Sequence, residues 1–388
     1  MINTPGKLLY AHYSPDGTHI VTGGADSAVR VWDLSTKAQV AAYSVGNGGK
    51  APYAQFTSDG DHLLISKVAP GNVNDSVLKW NWRQGRQVWI VEARYGIISS
   101  DGNTLVLLGM DNAISIANPE SGLSDHTIGT FKPGFVTSRM RLTRTGDRLL
   151  VGEPSKPYVL FDTKTSLALD TFAMSPDGGS ARSARFSSDD KRILFAFAAP
   201  ILLEGSAHDT VMKIADQLQT DDADISPDGR YIATMSGLKQ VRLWSAMDGH
   251  LVKELGFNDQ QGYSLVFSPD GTHVMSSSLD QTVRIWPVPT ISAVETAPRA
   301  TAGGVSLTVY PDPARDQLVV HYSMSIAGSV RLALLNSLGD VVLSIEHPTE
   351  EAGEQQEMLD TRALPSGVYL FRVQAGGYRA VRTVRVER

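Results

Sequence analysis

Residues 267–286 read FSPDGTHVMSSSLDQTVRIW, and this stretch contains the unit from which most of the chain is built. Phe267 is followed by Ser-Pro-Asp-Gly, which favours a tight turn because Pro restricts φ, Asp hydrogen-bonds to the nearby backbone and Gly accepts a left-handed conformation. An apolar strand follows the turn, and VRIW at 283–286 alternates apolar and polar residues like a strand with one buried face. The stretch therefore predicts a β-hairpin followed by a third strand.

This pattern occurs seven times, at spacings of 39 to 44 residues. An apolar anchor residue begins each copy, Ser or Thr follows it in all seven, and Asp is third after it in six. The anchors are Tyr13, Phe56, Ile98, Leu142, Phe186, Ile225 and Phe267. An aromatic landmark such as Trp32 or Trp244 follows most anchors by 19 residues. With a fourth strand before the next anchor, each copy predicts a four-stranded unit.

In period, turn and Trp-Asp landmark, this repeat resembles the WD repeat, whose period is about 40–45 residues. The resemblance implies an all-β fold, with a seven-bladed β-propeller over residues 1–295. In WD-repeat proteins an N-terminal strand usually completes the last blade. Here residue 8 already lies in the innermost strand of the first blade, so the last blade lacks its outer strand, and two alternatives remain. Either ISAVE at 291–295 supplies the missing outer strand, or the sequence begins late, and the second alternative is favoured.

The composition changes after Trp286. Residues 296–306, TAPRATAGGVS, have the small residues of a linker. Residues 307–388 lack the repeat and hold seven short alternating stretches, among them QLVVHYS and VRLALLN. So many short strands in about eighty residues indicate an immunoglobulin-like β-sandwich.

Three motifs of this C-terminal module resemble the sorting domain of type IX secretion cargo, the Por secretion family. They are YPDPARDQL at 310–318, LLNSLGDVV at 334–342 and LPSGVYLFRV at 364–373, and a basic strand ends the chain. The residues that match the family pattern, with the arginines of the last strand, are Tyr310, Pro311, Pro313, Gly339, Leu364, Gly367, Tyr369, Arg382 and Arg385.

The resemblance implies that the C-terminal module engages the type IX secretion machinery and directs the protein outside the cell or to its outer surface. Such cargo first crosses the inner membrane with a signal peptide, and residues 1–17 contain no apolar segment of that kind. Either the start of the chain is assigned too late or the export interpretation is wrong. A cytoplasmic location is the alternative.

Composition excludes several other classes. The net charge is −6 with no basic stripe, which disfavours nucleic acid as a partner. The chain has no cysteine, and no apolar run reaches the length of a transmembrane helix. No catalytic motif is found, and the histidines lack metal-ligand spacing. Asp221, Asp222, Asp224 and Asp228 could hold calcium, but Asp228 already belongs to the repeated turn and the glycine spacing is not that of an EF-hand, so a calcium site is disfavoured. We therefore expect no cofactor, no metal and no enzymatic activity.

By resemblance, the ligand-facing rim of the propeller holds the loops between outer and inner strands and those between second and third strands. The second copy carries an insertion of about five residues there, around KVAPGNVND at 67–75. Arg and Tyr, which are enriched at protein hot spots, occur in equivalent loops. The candidate partner-binding residues are Lys67, Asn72, Asn74, Arg94, Tyr95, Lys132, Arg182 and Tyr263.

Three functional hypotheses follow. The first is an exported or cell-surface, non-enzymatic protein whose propeller rim binds a protein or glycan. The second is a cytoplasmic protein-interaction scaffold whose C-terminal module only resembles the sorting domain. The third is a propeller hydrolase, which requires paired carboxylates or a nucleophile at the central channel.

Overall fold

The computed structural model divides the chain into two compact units, Met1–Thr290 and Ile291–Arg388. The described residues are 1–45, 50–69, 75–131, 140–152, 156–172, 181–197, 199–204, 209–214, 220–237, 239–246, 249, 251–289, 305–310, 314–324, 327–336, 339–375 and 378–387. Throughout these ranges the regular elements are β-strands, and no helix capable of spanning a membrane is found in them. The all-β prediction is confirmed. The predicted boundary at 295 and most of the predicted linker lie outside the described residues.

The described residues of the first unit form 28 strands. They are β1 (Ile2–Asn3), β2 (Leu8–Tyr13), β3 (His19–Gly24), β4 (Ala28–Asp33), β5 (Gln39–Ser44), β6 (Lys50–Phe56), β7 (His62–Val68), β8 (Ser76–Asn81), β9 (Arg86–Glu92), β10 (Tyr95–Ile98), β11 (Leu105–Leu108), β12 (Ala113–Ala117), β13 (Ser124–Thr130), β14 (Met140–Leu142), β15 (Arg148–Gly152), β16 (Tyr158–Asp162), β17 (Ala168–Phe172), β18 (Ser183–Phe186), β19 (Arg192–Ala196), β20 (Ile201–Glu204), β21 (Asp209–Lys213), β22 (Thr220–Ile225), β23 (Tyr231–Ser236), β24 (Gln240–Ser245), β25 (Leu251–Phe257), β26 (Gly262–Phe267), β27 (His273–Ser278) and β28 (Thr282–Pro287).

These strands form seven antiparallel sheets of four strands, which agree with the seven copies of the repeat. Sheets 1 to 6 each take four consecutive strands, from β2–β5 to β22–β25, and sheet 7 takes β26, β27, β28 and β1. Neighbouring sheets contact one another through their first strands: β2 contacts β6, and β22 contacts β26. Strand β26 also contacts β2, so sheet 7 lies beside sheet 1.

The outer strand of sheet 7 differs from both sequence alternatives. Strand β1 supplies it, with Ile2 opposite Val283 and Asn3 opposite Thr282. Ile2 is buried against Leu8, Met275 and Val283, so apolar packing as well as pairing holds β1 in place. Our expectation that the chain before residue 8 contributes no outer strand is therefore wrong. A strand of two residues is too short to show the alternation of apolar and polar residues by which the other strands were predicted. Residues 291–295 lie outside the described part of the chain.

The repeated turn is held by its Ser and Asp. In sheet 1 the Ser14 hydroxyl donates to Asp16 Oδ1 over 2.5 Å, and Asp16 accepts the amide of Thr18. Gly17 has φ of 71°, the left-handed conformation predicted for it. Sheet 4 lacks the usual Asp, and there the Thr143 hydroxyl donates to Asp147 instead. An Asp two residues after the usual position thus preserves the turn where the motif is degraded.

These turn carboxylates should make the protein sensitive to acid. Hydrogen bonds from the Ser268 hydroxyl and the Thr272 amide lower the pKa of Asp270 to about 2. A lowered pKa means that the contribution to stability is full above about pH 4 and is lost as the pH falls towards 2. We expect the thermal midpoint to decline over that interval. Asp270→Asn should flatten the decline and cost at most about 1 kcal/mol at neutral pH, because the turn is exposed to solvent. An unchanged acid profile in this variant would contradict the assignment.

The landmark tryptophans pack between sheets. Trp32 and Trp244 each donate their indole N–H over 2.8 Å to a threonine on the neighbouring strand, Thr22 and Thr234 respectively. The ring of Trp244 lies in a buried cluster with Leu194 and Leu202 of sheet 5. Each landmark thus satisfies its one polar group within its own sheet while its apolar surface joins two sheets.

The second unit contains two antiparallel sheets. Its strands are β29 (Val305–Tyr310), β30 (Gln317–Met324), β31 (Gly328–Leu335), β32 (Val341–Glu350), β33 (Gly353–Asp360), β34 (Gly367–Ala375) and β35 (Tyr378–Val386). One sheet has the order β29-β30-β33, and the other β32-β31-β34-β35. Both sheets contribute to one buried cluster, in which Leu318 and Val320 of one meet Leu332 and Phe371 of the other. The predicted count of seven short strands is confirmed in the described residues.

The residues of the sorting motifs have structural roles in this unit. Gly339, with φ of 88°, closes the turn between β31 and β32, and its amide donates to Asn336 O. Gly367 begins β34, and Tyr369 and Phe371 are both buried on the same face, as the sequence predicts. The Tyr369 hydroxyl donates to Pro365 O over 2.8 Å.

The remaining motif residues lie at the edges of the sheets. Arg382 donates from Nε to Leu307 O, and Leu364 packs against the core. Arg385 is exposed on β35. Tyr310 ends β29, but its side chain, Pro311 and Pro313 lie outside what the structure describes.

Candidate functional site

The first strands of the seven sheets surround a central space. We number positions from the anchor of each copy, so that residues one and three before the anchor are positions −1 and −3. Because side chains alternate along a strand, positions −1 and −3 point to the same side. The seven residues at position −1 all line one cavity of about 520 Å³, and they are His12, Gln55, Ile97, Arg141, Arg185, Asp224 and Val266.

A second cavity of about 270 Å³ continues from the first and shares His12, Tyr53, Arg141 and Arg185 with it. The described residues at position −3 line this cavity, and they are Tyr10, Tyr53, Tyr95, Ser183, Asp222 and Ser264. The seventh residue of this layer, Arg139, lies outside the described part of the chain. Two layers of the repeat therefore form one continuous channel wall.

Sheets 1 to 3 give this wall an aromatic side. The ring centroids of Tyr53 lie 5.7 Å from Tyr10, 5.1 Å from His12 and 4.9 Å from Tyr95. The Tyr53 hydroxyl donates to Gln55 Oε1 over 2.8 Å. Burial raises the pKa of Tyr53 and Tyr95, so both hydroxyls stay protonated at physiological pH.

Sheets 4 to 6 give it a charged side. Asp222 accepts the Ser183 hydroxyl at 2.6 Å and the Leu265 amide at 2.9 Å, and it pairs with Arg185 at 3.3 Å. Asp224 accepts the Phe267 amide and lies 3.7 Å from Arg185 Nε. These carboxylates thus tie sheets 5, 6 and 7 together around one guanidinium.

The four aspartates considered as a calcium site, Asp221, Asp222, Asp224 and Asp228, form ion pairs and hydrogen bonds within the protein. Asp221 forms an ion pair with Arg182, and Asp228 accepts the Ser226 hydroxyl in the repeated turn. Arg185 occupies the space between Asp222 and Asp224. Each of the four carboxylates is thus already engaged by an arginine, a hydroxyl or a backbone amide.

His12 and Asp224 in the channel also have shifted pKa values. Burial, reinforced by Arg185 and Arg141, lowers the pKa of His12 to about 3, so this imidazole is neutral at physiological pH. Burial raises the pKa of Asp224 to about 6, although Arg185 opposes the change. The central wall therefore keeps three tyrosines and a neutral histidine opposite a compact set of fixed charges.

Three of the predicted partner-binding residues meet at the channel mouth. Tyr95, Arg182 and Tyr263 line the smaller cavity, and Arg182 and Tyr263 are exposed there. Tyr95 differs from the expectation of a rim residue, because it begins β10 and is buried beside Tyr53. Arg94 is half-buried and donates to Asn112 Oδ1 over 2.7 Å, which joins the loop before β10 to the loop between β11 and β12.

Among the described residues, the remaining predicted residue, Lys67, does not line the smaller cavity. Lys67 is half-buried on β7, opposite Ser76. Asn72, Asn74 and Lys132 lie outside the described residues.

Two parts of the chain match known protein families. Residues 308–387 match the family described as "Secretion system C-terminal sorting domain". Residues 7–33 and 256–287 match the family described as "WD domain, G-beta repeat". The chain carries WD repeats followed by a secretion sorting domain. The matched WD repeats correspond to sheets 1 and 7, and the sorting domain to the second unit. This domain points to type IX secretion, to the cell surface or beyond.

Curated relatives agree with the WD repeats. The chain is 40% identical over 76 residues to "WD repeat-containing protein 1" of Mus musculus, covering 19% of this chain and 12% of that protein. It is 23% identical over 285 residues to "Protein tipD" of Dictyostelium discoideum, covering 70% of this chain and 45% of that protein. The chain therefore spans less than half of either relative.

The sequence analysis missed the channel wall of the WD repeats. Arg141, Arg185, Asp222 and Asp224 were not proposed as channel residues, and His12 was considered only as one of the histidines without metal-ligand spacing. The signal is present in the sequence, because positions −1 and −3, compared across copies, contain Tyr10, Tyr53, Tyr95, Arg141, Arg185, Asp222 and Asp224. Only the structure, in which residues from all seven sheets line one cavity, shows that these positions face one another.

Proposed function

We propose that the protein is an exported or cell-surface binding protein without enzymatic activity. In this proposal the seven sheets form a seven-bladed β-propeller, whose channel mouth binds a protein or glycan. The C-terminal unit is an immunoglobulin-like sandwich that the type IX machinery recognises. The observation that carries the proposal is the sorting-domain match over residues 308–387, in which Leu364, Gly367 and Tyr369 occupy defined structural positions.

The chemistry of the channel supports binding rather than catalysis. Acid–base catalysis needs a group that exchanges protons near the working pH and reaches the substrate. The pKa of His12, at about 3, makes it a poor proton acceptor in that range. Asp224, with a pKa of about 6, titrates near that range, but its carboxylate accepts the Phe267 amide and lies 3.7 Å from Arg185 Nε. Both oxygens of Asp222 accept hydrogen bonds. These carboxylates serve the structure, whereas Arg182 and Tyr263 at the mouth are the residue types that dominate protein interfaces.

Export can be tested separately from binding. Residues 305–388 would be fused to a fluorescent protein that carries its own signal peptide, in a bacterium with a type IX system. We expect the fusion at the cell surface or in the medium. The control fusion, with Leu364, Gly367 and Tyr369 changed to alanine, should stay inside. Retention of both fusions, or equal export of both, would contradict the proposal.

A further inference from the structure

Among the described residues that line the channel, Arg141 is the arginine without an ion pair. Arg141, at position −1 of sheet 4, lines both cavities. No ion pair involves it within the residues that the structure describes, and its one hydrogen bond there runs from Nη1 to Met140 O, over 2.7 Å. Guanidinium has five N–H donors and does not lose its proton in proteins. Most of the donors of Arg141 thus remain available to the cavity.

The neighbouring arginines differ from Arg141. Arg185 is held by Asp222 and Asp224, and Arg182 pairs with Asp221. The acidic groups that line the channel are therefore already engaged by other arginines. Burial lowers the pKa of Arg141, and the charge of Arg185 acts in the same direction. A cation inside a protein is costly unless an anion or water compensates it.

We propose that Arg141 binds an oxyanion, carboxylate or phosphate, that the partner inserts into the channel. A planar guanidinium fork matches both groups through two parallel hydrogen bonds. The smaller cavity, about 270 Å³, opens at the mouth beside Arg182 and Tyr263. Tyr53 and Tyr95 form the aromatic wall next to the anion. The inference rests on the proposed binding role of the channel and names the chemical group that it recognises.

The test uses the purified full-length protein with sodium phosphate and sodium acetate as probes, and sodium chloride keeps the ionic strength constant. A ligand that binds only the folded state raises the thermal midpoint. We expect at least one anion to raise it saturably, and calorimetry to give a matching Kd. A response to phosphate alone, or to acetate alone, identifies the preferred oxyanion. A response to neither would overturn the proposal.

Variants separate binding from structure. Arg141→Met should weaken anion binding at least tenfold, and Arg141→Lys, which keeps the charge without the fork, by a smaller factor. Arg144→Met is the matched control, because Arg144 is exposed three residues away, in the turn between β14 and β15, and the variant should bind anion normally. Without anion, Arg141→Met should keep or raise the thermal midpoint, since no ion pair is lost. A marked fall in that midpoint, or unchanged anion binding, would assign Arg141 a structural role instead. Export is not measured here, so failure of this inference leaves the export proposal intact.

Discussion

Replacing Asp222 with alanine should lower the free energy of unfolding of the WD-repeat unit by about 3 kcal/mol. The carboxylate is buried and joins three sheets, through Ser183, Arg185 and the amide of Leu265. Its removal leaves the Leu265 amide without this acceptor and leaves Arg185 with Asp224 alone. Unpaired buried donors and charges are among the most destabilising changes in proteins.

Tryptophan fluorescence is suited to this measurement, because all six tryptophans lie between residues 32 and 286. Urea denaturation followed by fluorescence therefore reports on the first unit. The matched control is Asp61→Ala, which breaks the ion pair with Arg83, where both side chains are about half exposed. The control should cost between about 0 and 1 kcal/mol. Equal effects of the two substitutions would contradict the assigned role of Asp222.

Replacing Phe371 with alanine should unfold much of the sorting domain and reduce export several-fold. Phe371 is fully buried in the cluster shared by the two sheets of that unit. Phe-to-Ala changes in cores cost about 3–5 kcal/mol, a large share of the stability of a domain of this size. Hydrogen exchange of the backbone amides in 305–387 would measure the loss of structure.

Val368→Ala is the control for this prediction. Val368 lies three residues away on β34, and its side chain is 52% exposed. The change should alter stability by no more than about 0.5 kcal/mol and leave export unchanged. If Phe371→Ala is exported as efficiently as Val368→Ala, recognition does not depend on the folded sandwich.

Much of the fold follows from the sequence because one turn is repeated. Ser or Thr, Asp and Gly at fixed offsets define each hairpin locally, and the structure forms them even in sheet 4, where Asp147 replaces the missing Asp. Strand β1 was missed because Ile2 and Asn3 become a strand only by pairing with the distant β28. Local sequence patterns predict hydrogen bonds between residues close in the chain. The pairing of β1 with β28 joins residues from opposite ends of the unit, so no local pattern predicts it.

Of the candidate site, the sequence predicted Arg182 and Tyr263 at the mouth and Tyr95 in the wall. Arg182 and Tyr263 share position −4 of the repeat, so comparing equivalent loops was enough to find them. The channel wall could not be found by comparing loops. His12, Arg141 and Asp222 come from three copies of the repeat, and only the structure shows that they line one cavity. The structure also shows which charged side chains form ion pairs, and the sequence does not. Asp222 and Asp224 compensate Arg185, and this pairing is what distinguishes Arg141 from it.

Export of a WD-repeat protein by its sorting domain is the central claim, and location tests it most directly. The full-length protein would be traced by mass spectrometry of terminal peptides in cell fractions and medium, in a bacterium with a working type IX system and in a matched strain without one. We expect the protein at the surface or in the medium of the first strain and inside the second. The same location in both strains would contradict the claim.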